Sequence, residues 1–146
     1  MAKTALLGVA VIPLAVISDE RGQVLHFLRS TDAHFRKFGE VYFSCVYPGV
    51  TKGWKIHSAS WSNLTVPVGR VKFVLHDLRD GSPTQGQFQE VYLGDNHHCL
   101  LTIPPGIAYA WKNLVPETAM VANCATEAWS PDESKNLPFT DIVYPW

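Results

Sequence analysis

Charge is scarce in this chain and nearly balanced: charged residues make up 17% of its 146 positions, and the formal net charge is -1 at pH 7. That leaves no basic field for gripping nucleic acid or an anionic membrane, so any anionic ligand must be met by individual Arg and Lys side chains. Cysteine is scarce too. The three thiols, Cys45, Cys99 and Cys124, are widely spaced, odd in number and flanked by apolar residues, which argues against a disulfide framework and a zinc site and fits a reducing cytoplasm. Long apolar runs are missing. The most apolar stretch, residues 5–17, is too short to span a bilayer, is interrupted by Pro13 and is not followed by a small-residue cleavage site. It reads as two β-strands broken at Pro13, because Val and Ile favour strands and Pro tolerates only an edge or a bend. Helical periodicity is almost absent, and there is no internal repeat, linker or low-complexity segment.

What the chain does have is short strand-like runs punctuated by Gly and Pro. Gln23-Val24-Leu25-His26-Phe27-Leu28, Glu40-Val41-Tyr42-Phe43-Ser44-Cys45-Val46-Tyr47, Cys99-Leu100-Leu101-Thr102-Ile103 and Ala119-Met120-Val121-Ala122-Asn123-Cys124 are of this kind. Pro48-Gly49 and Pro104-Pro105-Gly106 stop two of them. The spacing predicts an all-β sandwich or barrel, one domain over residues 1–146, with helix confined to short segments near the ends, such as residues 30–39. The polar, then aromatic, tail over residues 130–146 offers Phe139, Tyr144 and Trp146 for docking on the barrel.

The chain is organised around residues 52–83. In Arg70-Val71-Lys72-Phe73-Val74-Leu75-His76-Asp77-Leu78-Arg79, a period of two puts Val71, Phe73, Leu75, Asp77 and Arg79 on one face. An acid and a base closing an apolar row suit either a structural ion pair or the mouth of a binding cavity. The same period puts Lys55 and His57 on one face, and turns His76 away from the Asp77 row. His97 and His98 fall in a turn and read as solvated surface residues.

These residues resemble the dTDP-4-dehydrorhamnose 3,5-epimerases, nucleotide-sugar enzymes of the cupin superfamily. The resemblance is carried by Asp19-Glu20-Arg21-Gly22, Lys52-Gly53-Trp54, Asp77-Leu78-Arg79 with Ser82-Pro83-Thr84, Ile103-Pro104-Pro105-Gly106-Ile107-Ala108, Ser130-Pro131-Asp132-Glu133 and the closing residues 141–146. It implies a cupin-type jelly-roll barrel, a cytoplasmic homodimer that exchanges N-terminal strands, and chemistry with no metal or redox cofactor. In the family a base removes a proton beside the 4-keto group, the enolate is stabilised, and an acid returns the proton from the opposite face.

Carried over residue by residue, the resemblance departs at the chemical positions. The family's catalytic His matches Lys55, its Lys matches Ser62, its paired tyrosines match Ala128 and Trp129, and an acidic position inside the barrel falls at Phe73. Asp141 matches the Asp that supports the His. The binding residues fare better: Arg21 and Lys52 match basic positions around the pyrophosphate, and Arg79 belongs to a retained motif.

The catalytic candidates are Lys55, His57 and, in support, Asp141. Lys55 could act as a base or Schiff-base amine if buried, or simply pair with Asp141; His57 is the remaining imidazole for a general base. Tyr109 or Tyr144 could return the proton, and Tyr109, which stands where metal-dependent cupins have a second-motif His, argues against a metal site. Trp129 is a candidate wall for the substrate, like Tyr109 a binding residue. Two classes of function stand: an epimerase-like isomerase acting on a 4-keto nucleotide sugar or similar ketone, or a catalytically inert nucleotide-sugar-binding cupin. A cupin repurposed for another small molecule is a third.

Overall fold

Alternating apolar and polar residues, cut by Gly and Pro turns, build twelve strands in the computed structural model, which describes residues 5–146. They are β1 (Ala10–Pro13), β2 (Val16–Asp19), β3 (Gly22–Leu25), β4 (Glu40–Val46), β5 (Thr51–His57), β6 (Ser62–Val68), β7 (Arg70–Asp77), β8 (Phe88–Gly94), β9 (Cys99–Ile103), β10 (Ile107–Asn113), β11 (Ala119–Ala125) and β12 (Ser134–Asn136). Two five-stranded antiparallel sheets result, in the orders β1-β9-β6-β11-β4 and β12-β5-β10-β7-β8, with β2 and β3 forming a separate hairpin. The sheets face each other as a jelly roll. The break expected at Pro13 is the end of β1.

The main core lies between the sheets. Leu64, Val66, Leu101, Ile103 and Val121 of the first meet Val71, Phe73, Leu75, Val91, Leu93, Tyr109 and Trp111 of the second. Burial of each such aliphatic or Phe side chain stabilises by about 1.5–3 kcal/mol relative to exposure, so this layer rather than the sparse ion pairs holds the sheets together. A second cluster covers the outer face of the second sheet, where Trp54, Val74, Ala108 and Ala110 lie under Ile142, Tyr144 and Trp146 of the tail. Trp54 is fully buried there, and its indole N–H donates to the Ile142 carbonyl at 3.1 Å. Tyr144 and Trp146 dock as the sequence suggests, whereas Phe139 is largely exposed and Ile142 takes the buried place.

Two expectations change, and one choice between readings is decided. Residues 30–39 form turns, and no helix occurs among the described residues. There the Asp32 carboxylate accepts the Arg29 N–H while the Asp32 N–H donates to the Arg29 carbonyl, closing a turn that does not propagate. His98 is not a free surface residue, since Nε2 lies 2.6 Å from the His26 carbonyl and helps tie the N-terminal segment to the barrel; His97 is exposed. Of the two readings for the end of the β7 row, the ion pair is the one formed. Asp77 is fully buried and accepts from Arg79 Nε and a terminal guanidinium nitrogen, both at 2.9 Å, and from Ser82 and Thr84. Among the described residues, no helix is long and apolar enough to cross a membrane.

Candidate active site

Strand β5 is a partition, and Gly53 sets it. This glycine has φ +128°, and a Cβ there would lie 2.6 Å from that of Ala110. The close approach coincides with a register shift between β5 and β10, where Tyr109 faces Lys55 but Trp111 faces Lys52. Beyond it, Trp54 and Ile56 join the outer cluster under the tail, while Lys55 turns to the space between the sheets and His57, at the strand's end, lies beside the Tyr109 ring and borders a pocket shared with Pro105, Gly106 and Glu133.

His57 is buried and meets Glu133, just ahead of β12, with Nδ1 2.7 Å from a carboxylate oxygen. The other oxygen of Glu133 accepts the backbone N–H groups of Ser58, Ala59 and Ser60 at 3.1–3.2 Å. Burial alone would raise the Glu133 pKa, but His57 and these amide donors outweigh it and hold the carboxyl below its ordinary value. An ionised carboxylate only accepts, so Nδ1 carries the hydrogen. Nε2 of the neutral ring is then a bare lone pair, and it is buried without a hydrogen-bond partner.

Beside the imidazole, the Tyr109 ring lies nearly parallel at 6.3 Å between centroids. Its hydroxyl shares a 2.9 Å hydrogen bond with Ser62, and burial pushes its pKa well above the ordinary phenol range. Lys55 extends across the sandwich toward β4, placing Nζ 5.4 Å from the centroid of the Tyr42 ring. Tyr42, Ser44, Lys55, Leu64, Tyr109 and Asn123 are among the walls of an interior cavity of about 60 Å³. Asn123 donates from Nδ2 to the Tyr42 hydroxyl at 2.9 Å, and its Oδ1 accepts the Asn63 N–H.

The structure thus brings Lys55, His57 and Tyr109 together, but not Asp141. That residue is exposed in a turn on Pro138, and among the described residues no ion pair joins it to Lys55. Lys52 is half-buried, with Nζ donating to Ser44 Oγ and the Cys45 carbonyl at 3.0 Å. Arg21 sits at the β2–β3 hairpin, its side chain 83% exposed and paired with Asp19. Arg79 is bound to Asp77 and to the Leu7 carbonyl, and Trp129 is exposed on the connection from β11 to β12. Tyr144 lies outside the second sheet, hydrogen-bonded to Glu90. Among the described residues no three His, Cys, Asp or Glu side chains gather as metal ligands.

Sequence reasoning missed Glu133, Tyr42 and Asn123. Glu133 did stand in a family-like motif, but nothing local pairs it with a residue 76 positions earlier. Tyr42 and Asn123 looked like ordinary strand residues.

Two facing antiparallel sheets with polar side chains drawn into one end of the space between them define a cupin-like jelly roll. Within that class the chain belongs to the dTDP-4-dehydrorhamnose 3,5-epimerase family, whose model matches residues 3–145. It is 32% identical over 143 residues to the spore coat polysaccharide biosynthesis protein SpsL of Bacillus subtilis, covering 95% of each chain. It is 30% identical over 136 residues to the probable low-salt glycan biosynthesis epimerase Agl13 of Haloferax volcanii, covering 90% of this chain and 86% of that one. The crystal structure of a dTDP sugar isomerase from Desulfovibrio desulfuricans G20 matches with a TM-score of 0.93 at 38% identity, over 97% of this chain and 92% of the other.

Proposed function

We propose that this protein is a cytoplasmic isomerase that abstracts the proton beside the carbonyl of a 4-keto nucleotide sugar or similar ketone, with His57 as the base. The observation that carries this reading is the hydrogen bond from His57 to Glu133, which puts the hydrogen of the neutral ring on Nδ1 and leaves Nε2 as its acceptor. As Nε2 takes the proton, the C–H pair moves onto the carbonyl oxygen. The developing imidazolium is balanced by the Glu133 carboxylate, as a dyad requires. Lys55, on the same inward face, supplies positive charge for the enolate oxygen. Glu133 therefore stands in the supporting role that the family resemblance assigned to Asp141.

Arg21, with most of its side chain in solvent, and Lys52 are the cations available to a diphosphate. Homodimerisation belongs to the same reading. Ile17 and Val24 on the hairpin, and Val41 and Phe43 on edge strand β4, expose apolar surface that a second copy would cover.

A second reading, an inert nucleotide-sugar-binding protein, is favoured by the cavity. At about 60 Å³ it is narrow for the sugar ring that an isomerase must enclose, whereas a binding protein could hold the nucleotide end outside it. Proton NMR of dTDP-4-keto-6-deoxyglucose in heavy water separates the two. Deuterium entering C3 or C5 with the native protein, and lost in His57→Asn, supports the isomerase. If no deuterium enters while dTDP still raises the melting temperature, the protein binds without reacting.

A further inference from the structure

The polar walls of the interior cavity present hydrogen-bond donors to it. Lys52 Nζ donates to Ser44 Oγ, so the serine accepts on that side and its own hydrogen is left for the cavity. Asn63 N–H donates to Asn123 Oδ1, which turns the amide Nδ2 toward the Tyr42 oxygen; Tyr42 accepts there and likewise keeps its hydrogen. Trp111, another wall, has an indole N–H that can only donate, and it is buried with no partner among the described residues. The hydroxyls of Tyr109 and Ser62 satisfy each other.

Charge points the same way. The Lys55 ammonium lies 5.4 Å from the centroid of the Tyr42 ring and enters none of the ion pairs among the described residues. The Lys52 ammonium stands behind Ser44, and no Asp or Glu is among the walls. A buried donor left unpaired costs free energy, which an acceptor-only guest would recover. That guest is small. The cavity holds about 60 Å³, well below the roughly 300–1,000 Å³ of pockets that enclose a whole ligand. Tyr42, Ser44 and Lys55 are half-buried, while Leu64, Phe73, Tyr109 and Trp111 make a buried floor.

We propose that this cavity is a carboxylate-binding subsite, with the Lys55 ammonium, the Trp111 indole N–H and the hydroxyls of Tyr42 and Ser44 as its donors. A carboxylate offers about four acceptor sites and no hydrogen, which matches these four groups. His57 is not among the walls, so the bound group sits beside the reacting carbon rather than on it. The source of the carboxylate rests on the isomerase reading above: it is a substituent of the substrate, which makes that substrate a keto sugar acid. A ketone whose neighbouring carbon bears a carboxylate presents oxygens of both groups to one ammonium, so Lys55 still serves the enolate. A free small carboxylic acid would meet the same donors.

Sodium acetate, titrated into the ¹⁵N-labelled full chain with sodium sulfate holding the ionic strength constant, should move the Trp111 indole N–H signal along a saturating curve. That signal is assigned by its loss in Trp111→Phe, and the Trp54 indole, held by Ile142, should stay in place. Lys55→Met and Ser44→Ala should each weaken acetate binding about tenfold or more, the scale of one hydrogen bond to a charged group. A stationary Trp111 signal, or native acetate affinity in whichever of the two variants keeps the native fold, overturns the subsite. Binding of dTDP-glucuronate about tenfold tighter than dTDP-glucose, with the preference lost in Lys55→Met, makes the carboxylate the substrate's own. Equal binding of the two, with acetate still saturating, supports the subsite for a free acid and overturns the keto sugar acid. Deuterium exchange into dTDP-4-keto-6-deoxyglucose reports on the isomerase reading separately: exchange without acetate binding keeps that reading and removes the subsite, and acetate binding without exchange does the reverse.

Discussion

Glu133 and His57, 76 positions apart, meet at 2.7 Å, and the carboxylate that holds the imidazole also gathers three consecutive backbone amides. One side chain therefore closes the loop after β5 and fixes the tautomer of the ring.

Glu133→Gln separates those roles. The amide keeps the shape but loses the charge that favours an imidazolium, so deuterium exchange should fall at least about tenfold, within the range a positioned acid–base pair contributes. Loss of a charged acceptor should also cost about 1.5–3 kcal/mol of stability, read from the urea midpoint. Unchanged exchange would show that His57 works without this partner.

The buried Asp77 carries the pH dependence of the fold. Burial would raise its pKa, but Arg79, Thr84 and Ser82 donate to it and drive it well below the ordinary carboxylate range. A group depressed in the folded state contributes stability above its unfolded pKa of about 4 and loses it as pH falls through the folded value. The urea midpoint should therefore drop on acidification below about pH 4, and Asp77→Asn should flatten that slope. At neutral pH, Asp77→Ala strands the Arg79 cation and should cost about 3 kcal/mol.

Trp54 is fully enclosed between the second sheet and the tail. Trp54→Ala should destabilise the protein by about 3–5 kcal/mol and free the tail for limited proteolysis at neutral pH. A protected tail in that variant would mean that Ile142 and Tyr144 hold it unaided.

Phe43 is 63% exposed on edge strand β4. If a second copy covers it, Phe43→Glu should shift sedimentation equilibrium toward monomer while leaving the melting temperature of the monomer nearly unchanged. Native protein that sediments as a monomer refutes the dimer outright.

Much of this architecture was legible in the chain because strand periodicity is local. The inward row of Val71, Phe73, Leu75 and Asp77 follows from alternation alone, as does the shared face of Lys55 and His57. Pairing across long sequence separations has no such signature. Thus Asp141, placed by its position near the tail, proves to be exposed, while Glu133 at the other end of the same segment takes the contact. Tyr42 was hidden for another reason: a tyrosine in a strand is ordinary, and only the closure of β4 over β5 brings it beside Lys55. His98 was misread because turn residues are usually solvated, yet the N-terminal segment folds back to use it.

The exposed face of β4 also carries Cys45, in line with Val41 and Phe43, whereas the thiols of Cys99 and Cys124 are buried and their pKa values pushed up by that burial. Reactivity follows the thiolate, so a maleimide dye or spin label should choose Cys45 without any cysteine being removed. The unmodified sequence thus carries its own reporter position on the edge where a second copy would sit, on the strand whose opposite face presents Tyr42.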